Sequence, residues 1–330
     1  MRILYINRLK FDYMQDFIYS GLVKVIGADS IIESPWNLNF HWNYRVYPKN
    51  ISENRGTLFK SFKAQIDKDN YDVVIVASCH PDNINRYFEI LPKIPKDVIT
   101  IFIDGGDRPE VGGDFERLGG YETYKNVIKI RPFDLIFKRE YLIGKEYNDN
   151  IYPLPMCFDY TNMPKLNEKF KYDVSFWAVE SHPIRTKVLD LIQDKFDCAD
   201  NGSIKNQVMK KYKRKGMFYL QELASCKIGL NFRGAGWDTL RYWEIPALGG
   251  FMISQKPAIV IENNYIDSKD IVYCKDDLSD LVDLCEYYLK NDKERVNIAK
   301  NARKTTEKFH TDSIRAQFIL DKIKDLNDVK

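Results

Sequence analysis

The chain has 330 residues, 44% of them hydrophobic and 14% aromatic, which is enough for two α/β domains with buried cores. Its 50 basic and 47 acidic residues leave a net charge of +3, so charge alone gives no argument for a nucleic-acid partner. The sequence shows no apolar run of transmembrane length and no signal-peptide pattern, and we expect a cytoplasmic protein.

Strands and helices alternate through the first half of the chain. Apolar runs predict strands at residues 2–6, 29–33, 71–78, 98–103, 134–138 and 152–157, and helical spacing predicts a helix at 11–26. This alternation is typical of a parallel sheet, in which ligands bind beyond the carboxyl ends of the strands. We therefore predict a Rossmann-like domain over residues 1–158.

Polar residues follow two of these strands at the edge where catalytic groups gather. His80 comes after the strand at 71–78, and Asp104 and Asp107 flank two glycines after the strand at 98–103. Each also has a purely structural interpretation. Asp and Gly are favoured in turns, and His80 precedes a proline where a helix can begin. The sequence does not decide among the three, although we rank Asp107 and Asp104 slightly ahead of His80.

A polar segment at residues 159–171 predicts a linker to a second α/β domain at 172–311. Strands are predicted at 173–178, 228–232 and 251–254, and helices at 183–196, 219–226, 281–289 and 293–309. A last helix is predicted within the C-terminal segment 312–330. The six cysteines are scattered without C-x-x-C or zinc-ligand spacing, which favours buried free thiols.

The most informative stretch is a strand–turn–helix–strand unit at residues 227–254. Its strand leads into the glycine-bearing turn 233–236, and a helix carrying Arg241 and Glu244 then ends at a Gly-Gly pair. A helix that begins after such a turn presents backbone N–H groups and the positive end of its dipole to an anion, and Asp238 or Thr239 could cap it. Arg241 offers a planar fork for phosphate oxygens, and Glu244 offers acceptors for two ribose hydroxyls. An ordinary intrahelical Arg–Glu pair is the structural alternative.

The pattern Arg241-x-x-Glu244-x-Pro246-Ala247-x-Gly249-Gly250, followed by an apolar strand, resembles the C-terminal domain of GT-B glycosyltransferases. The closest likeness is to the group 1 type domain of spore-maturation-protein-like enzymes. The resemblance extends over about residues 170 to 311. It continues upstream in Tyr172-Asp173-Val174-Ser175-Phe176 and Ser181-His182-Pro183-Ile184-Arg185, and downstream in Ile271-Val272-Tyr273, Asp277-Leu278-Ser279, Asn291-Asp292-Lys293-Glu294-Arg295 and Phe309-His310-Thr311.

This resemblance implies two Rossmann-like, doubly wound domains that face a central cleft, with the last helix crossing back to the first domain. It implies transfer of a sugar from a nucleotide-diphosphate sugar, without a metal and with the donor held mainly by the C-terminal domain. The acceptor is unidentified, and a glycan, a lipid-linked glycan, a protein, a metabolite and a modified nucleic acid are all open. The residues expected to bind the donor are Arg241, Glu244, Arg233, Thr239, Gly236, Asn231, Ser181, His182 and Arg185. The acceptor base is expected from the first domain, as Asp107, Asp104 or His80.

Other interpretations stay open or are disfavoured on particular residues. Asp67-Lys68-Asp69 has the spelling of a metal motif but precedes a strand, so a solvated turn is favoured. The basic residues of 205–215, from Lys205 to Lys215, could touch an anionic partner or a membrane surface, although a solvated face is the simpler reading. The turn at 233–236 lacks the third glycine of the dinucleotide fingerprint, which disfavours an NAD enzyme. An epimerase, a glycosyl-phosphate transferase or a non-catalytic nucleotide-sugar-binding subunit remains possible.

Overall fold

The computed structural model describes residues 1–41, 70–161, 170–176, 178, 181–197 and 217–329. The chain forms two compact units. The first comprises Met1–Asn162 with Asp312–Lys330, and the second comprises Met163–Thr311. The chain thus leaves the first unit inside the predicted linker and returns to it at the start of the last helix.

Each unit is built on a parallel sheet. The first sheet has the order β2-β1-β3-β4-β5-β6 and the second the order β10-β9-β8-β7, with every neighbouring pair parallel. The strands are β1 (Ile3–Ile6), β2 (Ile31–Ser34), β3 (Val73–Val76), β4 (Ile99–Asp104), β5 (Leu135–Lys138), β6 (Ile151–Pro153), β7 (Tyr172–Ser175), β8 (Cys226–Asn231), β9 (Phe251–Gln255) and β10 (Val272–Cys274).

Helices connect the strands. They are α1 (Tyr13–Ile26), α2 (Pro81–Ile90), α3 (Asp114–Leu118), α4 (Tyr121–Ile130), α5 (Pro183–Ile192), α6 (Met217–Ala224), α7 (Leu240–Ala247), α8 (Leu281–Lys290), α9 (Asp292–Phe309) and α10 (Asp312–Val329). Short 3-10 helices lie at Ala28–Ser30, Leu38–Phe40 and Leu91–Lys93. In the part of the chain described here, no helix combines the length and the apolarity needed to cross a membrane.

Burial of β-branched and aromatic side chains explains the strands. All four residues of β1 and of β3 are buried, as expected for strands covered on both faces. The predicted pair of α/β domains, each with a parallel sheet, is confirmed. The predicted free thiols are found at Cys79, Cys157, Cys226, Cys274 and Cys285, all of them buried. Cys198, Asp67-Lys68-Asp69 and the basic stretch 205–215 lie outside the described residues.

The last helix α10 packs on α1 within the first unit. The two helices approach so closely that a Cβ on Gly21 would meet the backbone oxygen of Asp312 at 2.2 Å. The ammonium group of Lys24 bonds Asp312 at 2.5 Å and Asp159 at 2.7 Å. Lys24 therefore links α1 to the chain segments that precede and follow the second unit in sequence. Burial raises the pKa of Asp312 most, and the negative charge of the nearby Asp159 raises it further.

A buried ion pair joins the carboxyl ends of β4 and β5. Asp104 and Lys138 are opposite each other in the sheet register, and their charged atoms are 3.0 Å apart with both side chains fully buried. Asp104 also accepts a hydrogen bond from the amide of Gly112 at 2.8 Å, which fixes the loop that follows β4.

We predict that Lys138→Met destabilises the protein by about 3–5 kcal/mol, because the Asp104 carboxylate would remain buried without its counter-charge. Urea unfolding followed by circular dichroism measures the change. Lys145→Met is the matched control, since Lys145 pairs with Glu110 on the surface and such pairs contribute at most about 1 kcal/mol. A loss for Lys138→Met no larger than that of the control would contradict the prediction.

Candidate active site

Arg185 organises the carboxyl edge of the second sheet. This buried side chain lies on α5 and donates from Nε to the carbonyl oxygen of Arg233 at 2.8 Å and from Nη2 to that of Phe232 at 3.1 Å. Its Nη1 donates to the hydroxyl oxygen of Ser181 at 2.9 Å. Arg185 and Ser181, both predicted to bind the donor, therefore join the end of β8 to the loop before α5.

The turn after β8 lies directly against this guanidinium. Gly234 donates from its amide to the carbonyl oxygen of Gly236 at 3.0 Å. A Cβ on Gly234 would meet Nη2 of Arg185 at 2.9 Å and the hydroxyl of Ser181 at 3.0 Å, so the close approach requires glycine. The guanidinium of Arg233 lies over the indole ring of Trp237, 4.2 Å from its centroid.

His182 lies beside the same turn but also has a structural task. It is the N-cap residue of α5, and its Nδ1 accepts a hydrogen bond from the amide of Ile184 at 3.2 Å. Loss of hydration lowers the pKa of His182, and the positive charges of Arg233 and Arg185 lower it further. A neutral imidazole at neutral pH follows.

The start of α7 corrects one expectation. Thr239 is the N-cap residue, but its hydroxyl donates to Asn231 at 2.5 Å and makes no cap bond. Asn231 in turn donates to the hydroxyl of Ser254 at 3.0 Å, which ties β8 to β9. The carboxylate of Asp238, the other expected cap, accepts a hydrogen bond from the indole N–H of Trp243 at 2.8 Å. Thr239 and Asp238 thus form hydrogen bonds with the buried residues Asn231 and Trp243.

Arg241 and Glu244 lie three residues apart on α7, as predicted. The guanidinium of Arg241 is half-buried and lies 5.5 Å from the ring centroid of Phe176, which follows β7. Glu244 is buried, and its carboxylate accepts a hydrogen bond from the hydroxyl of Tyr219 at 2.8 Å. The predicted donor-binding residues thus lie in the loop before α5, on α5 itself, at the end of β8, in the turn after it and on α7, where Tyr219 bonds Glu244 and Trp237 lies against Arg233.

The three predicted base candidates lie at the carboxyl edge of the first sheet. The carboxylate of Asp104 is fully buried in its ion pair with Lys138. The carboxylate of Asp107 is 36% exposed and lies between two guanidinium groups, in a short contact with Arg139 and 3.7 Å from Arg117. Asp107 is therefore committed to ion pairs on both of its oxygens.

His80 is held differently. It occupies the N-cap position of α2 without capping the helix, and its side chain is 27% exposed. Its Nε2 lies 3.7 Å from the carboxylate of Asp12, which precedes α1. Loss of hydration is the largest cause of its lowered pKa; Asp12 opposes this shift, whereas Arg8 adds to it.

Asp12 and His80 lie on the two sides of the point where the strand order reverses. The chain goes from β1 to β2 on one side and then to β3 on the other, and open α/β sheets bind ligands at such a point. The sequence pattern did not single out Asp12, because this residue falls within the predicted helix at 11–26. The available signal was an N-cap residue type directly after a first buried strand.

Residues 197–321 match the family model described as glycosyl transferase-like. No curated protein matches the chain. Three of the solved structures that are similar in fold are an alpha-glucosyltransferase in complex with UDP-glucose and DNA containing an abasic site, sucrose-phosphate synthase from Thermosynechococcus elongatus, and Anabaena HepE in complex with UDP-glucose.

These likenesses extend over whole chains at low sequence identity. The alpha-glucosyltransferase is 10% identical with a TM-score of 0.56 and covers 98% of this chain and 99% of its own. Sucrose-phosphate synthase is 10% identical with a TM-score of 0.60 and covers 100% of both chains. HepE is 9% identical with a TM-score of 0.56 and covers 98% of this chain and 100% of its own. The fold of this protein is therefore the GT-B fold, and the match to the glycosyl transferase-like family model lies mostly in the second unit.

We predict that Gly234→Ala destabilises the protein by about 1–3 kcal/mol, because the new methyl group displaces the guanidinium that holds the end of β8. Differential scanning fluorimetry measures the change as a lowered melting temperature. Ala235→Ser is the matched control, since Ala235 lies in the same turn and is exposed. Equal melting temperatures for the two variants would show that the close approach carries no strain.

Proposed function

We propose that this protein transfers a sugar from a nucleotide-diphosphate sugar to an acceptor hydroxyl without a metal ion, and that the second unit holds the donor. The observation that carries the proposal is the placement of Arg241 and Glu244 on the first turns of α7, directly after the glycine turn at the carboxyl edge of the sheet. Two of the structures similar in fold are complexes with UDP-glucose, which makes uridine donors the first to test.

The diphosphate is the group that the edge of the second sheet suits. Departure of a nucleoside diphosphate concentrates negative charge on the oxygen that leaves the sugar. The amino end of α7 directs its partial positive charge toward the space beyond β8, and the half-buried guanidinium of Arg241 adds a full charge. Cations of the protein itself can thereby supply the stabilisation that a metal gives in other enzymes.

Glu244 suits the ribose of the same nucleotide. It lies one turn further along α7 than Arg241, and a carboxylate can accept hydrogen bonds from two vicinal hydroxyls. The hydroxyl of Tyr219 already donates to one of its oxygens, which fixes the orientation of the carboxylate. We assign Glu244 to the nucleoside and Tyr219 to the positioning of Glu244.

We assign the acceptor base to His80. Asp104 is enclosed by its pair with Lys138, and both oxygens of Asp107 lie beside guanidinium groups. The imidazole of His80 is partly exposed at the switch point, and its lowered pKa keeps it neutral at pH 7. It would take the proton of the acceptor hydroxyl while that oxygen bonds to the anomeric carbon and the carbon–oxygen bond to the diphosphate breaks. Direct displacement of this kind inverts the anomeric centre.

We predict that UDP or UDP-glucose raises the melting temperature of the wild type and that Arg241→Ala abolishes the rise, because a ligand that binds only the folded state stabilises it according to its occupancy. Glu244→Gln should weaken the rise with both ligands, since it keeps the shape but removes the charge. Arg303→Ala is the matched control, because Arg303 pairs with Glu307 on the exposed surface of the same unit. If the melting temperature of Arg241→Ala still rises with the ligand, the diphosphate does not bind at α7. If no nucleotide-sugar raises the melting temperature of the wild type, a nucleotide-sugar donor is rejected.

We predict that His80→Gln lowers kcat by about 10²–10⁴-fold, the contribution of a general base, while the donor-induced rise in melting temperature stays. Because the pKa of His80 is lowered from 6.5, wild-type kcat/KM should hold through neutral pH and fall only as the pH drops through a value below 6.5. Steady-state rates across pH 5–8 with release of free UDP as the readout measure both effects. Turnover in His80→Gln that matches the wild type would reject His80 as the base.

A further inference from the structure

We propose that Asp12 is the positioning residue for His80, holding the imidazole so that its second nitrogen faces the acceptor. This inference rests on the proposed function, in which His80 is the base. The carboxylate of Asp12 lies 3.7 Å from Nε2 of His80, on the opposite side of the switch point between β1 and β3. A movement of under about 1 Å closes this distance to a hydrogen bond, and catalytic hydrogen bonds often tighten when substrate binds.

The surroundings of Asp12 fix its carboxylate in place. Oδ1 accepts a hydrogen bond from the amide of Gln15 at 3.1 Å, which makes Asp12 the N-cap of α1. Oδ2, the oxygen that faces His80, accepts from the hydroxyl of Ser78 at 2.8 Å. Gln15 bonds back to Arg8 through both its side-chain oxygen and its side-chain nitrogen. The carboxylate is thus anchored to three segments of the first unit before it meets the imidazole.

This anchoring has a chemical consequence. A carboxylate beside Nε2 favours the tautomer with its proton there, which leaves the lone pair on Nδ1 to accept a proton. It also stabilises the imidazolium that forms when the acceptor is deprotonated. Other charges act on His80 as well: Arg8 from the loop after β1 and Arg117 from α3 lower its pKa, whereas Asp82 on α2 raises it. Asp12 is the largest of the charges that favour the protonated ring.

The test compares Asp12→Asn with the wild type by two independent measurements. Asparagine is as good an N-cap as aspartate, so the variant keeps α1 while it removes the charge. The first measurement is an NMR titration of the His80 ring, which is assigned by its loss in His80→Gln and is one of only four histidine signals. The second is kcat and KM with a UDP-sugar donor. We expect a lower titration midpoint for His80 and a kcat reduced at least about tenfold at unchanged donor KM.

Further variants separate positioning from folding. Asp12→Ser also caps helices, and it should reproduce the lowered midpoint. Ser78→Ala removes one hydrogen bond but no charge, so it should reduce kcat less than Asp12→Asn does. If His80 titrates in Asp12→Asn and Asp12→Ser as in the wild type, Asp12 serves only as a cap and the proposal is overturned.

The measurement of kcat and the NMR titration can each reject the proposal independently. An unchanged kcat in Asp12→Asn overturns the positioning role even if the titration moves. Absence of turnover in the wild type with every nucleotide-sugar defeats the proposed function itself. The titration midpoint still reports the contact between Asp12 and His80 in that case, so the two failures are distinguishable.

Discussion

The hydrogen bonds of Arg185 to the backbone at the end of β8 are the interaction on which the carboxyl edge of the second sheet depends. They satisfy two carbonyl oxygens that have passed the last ladder position of the sheet, and they hold the glycine turn against α5. The direction of α7, and therefore the position of Arg241 and Glu244, follows from how this turn leaves the strand. A buried guanidinium suits this task because its planar donors reach several fixed acceptors at once.

In the first unit, ion pairs fix the carboxyl edge of the sheet. Asp104 and Lys138 neutralise each other inside the sheet, while Asp107, Arg139 and Arg117 form a partly exposed network above it. These groups fix the loop after β4 and are thereby occupied. His80 and Asp12 differ because their side chains are 3.7 Å apart at the switch point and the imidazole is partly exposed. This is the reason why we propose His80, and not Asp104 or Asp107, as the base.

Much of the fold followed from the sequence because buried parallel strands are continuous apolar runs. The strand at 73–76 and the unit around β8 and α7 lie where the pattern predicted them, and the resemblance at 241–250 agrees with the family model that matches residues 197–321. The sequence did not predict which side chains form hydrogen bonds with each other. Asp238 and Thr239 are suitable for capping by residue type, but Asp238 accepts a hydrogen bond from Trp243 and Thr239 donates one to Asn231. Tyr219 and Asp12 stayed hidden because their partners are distant in sequence or lie across the sheet.

The donor diphosphate is proposed to lie on the glycine turn and the amino end of α7. A crystal structure of the protein soaked with UDP would locate it. We expect diphosphate density within hydrogen-bonding distance of Arg241 and of the backbone amides at 236–239, with the ribose at Glu244. Density at the carboxyl edge of the first sheet instead, beside His80 and Asp12, would overturn this proposal and assign the nucleotide to the other unit.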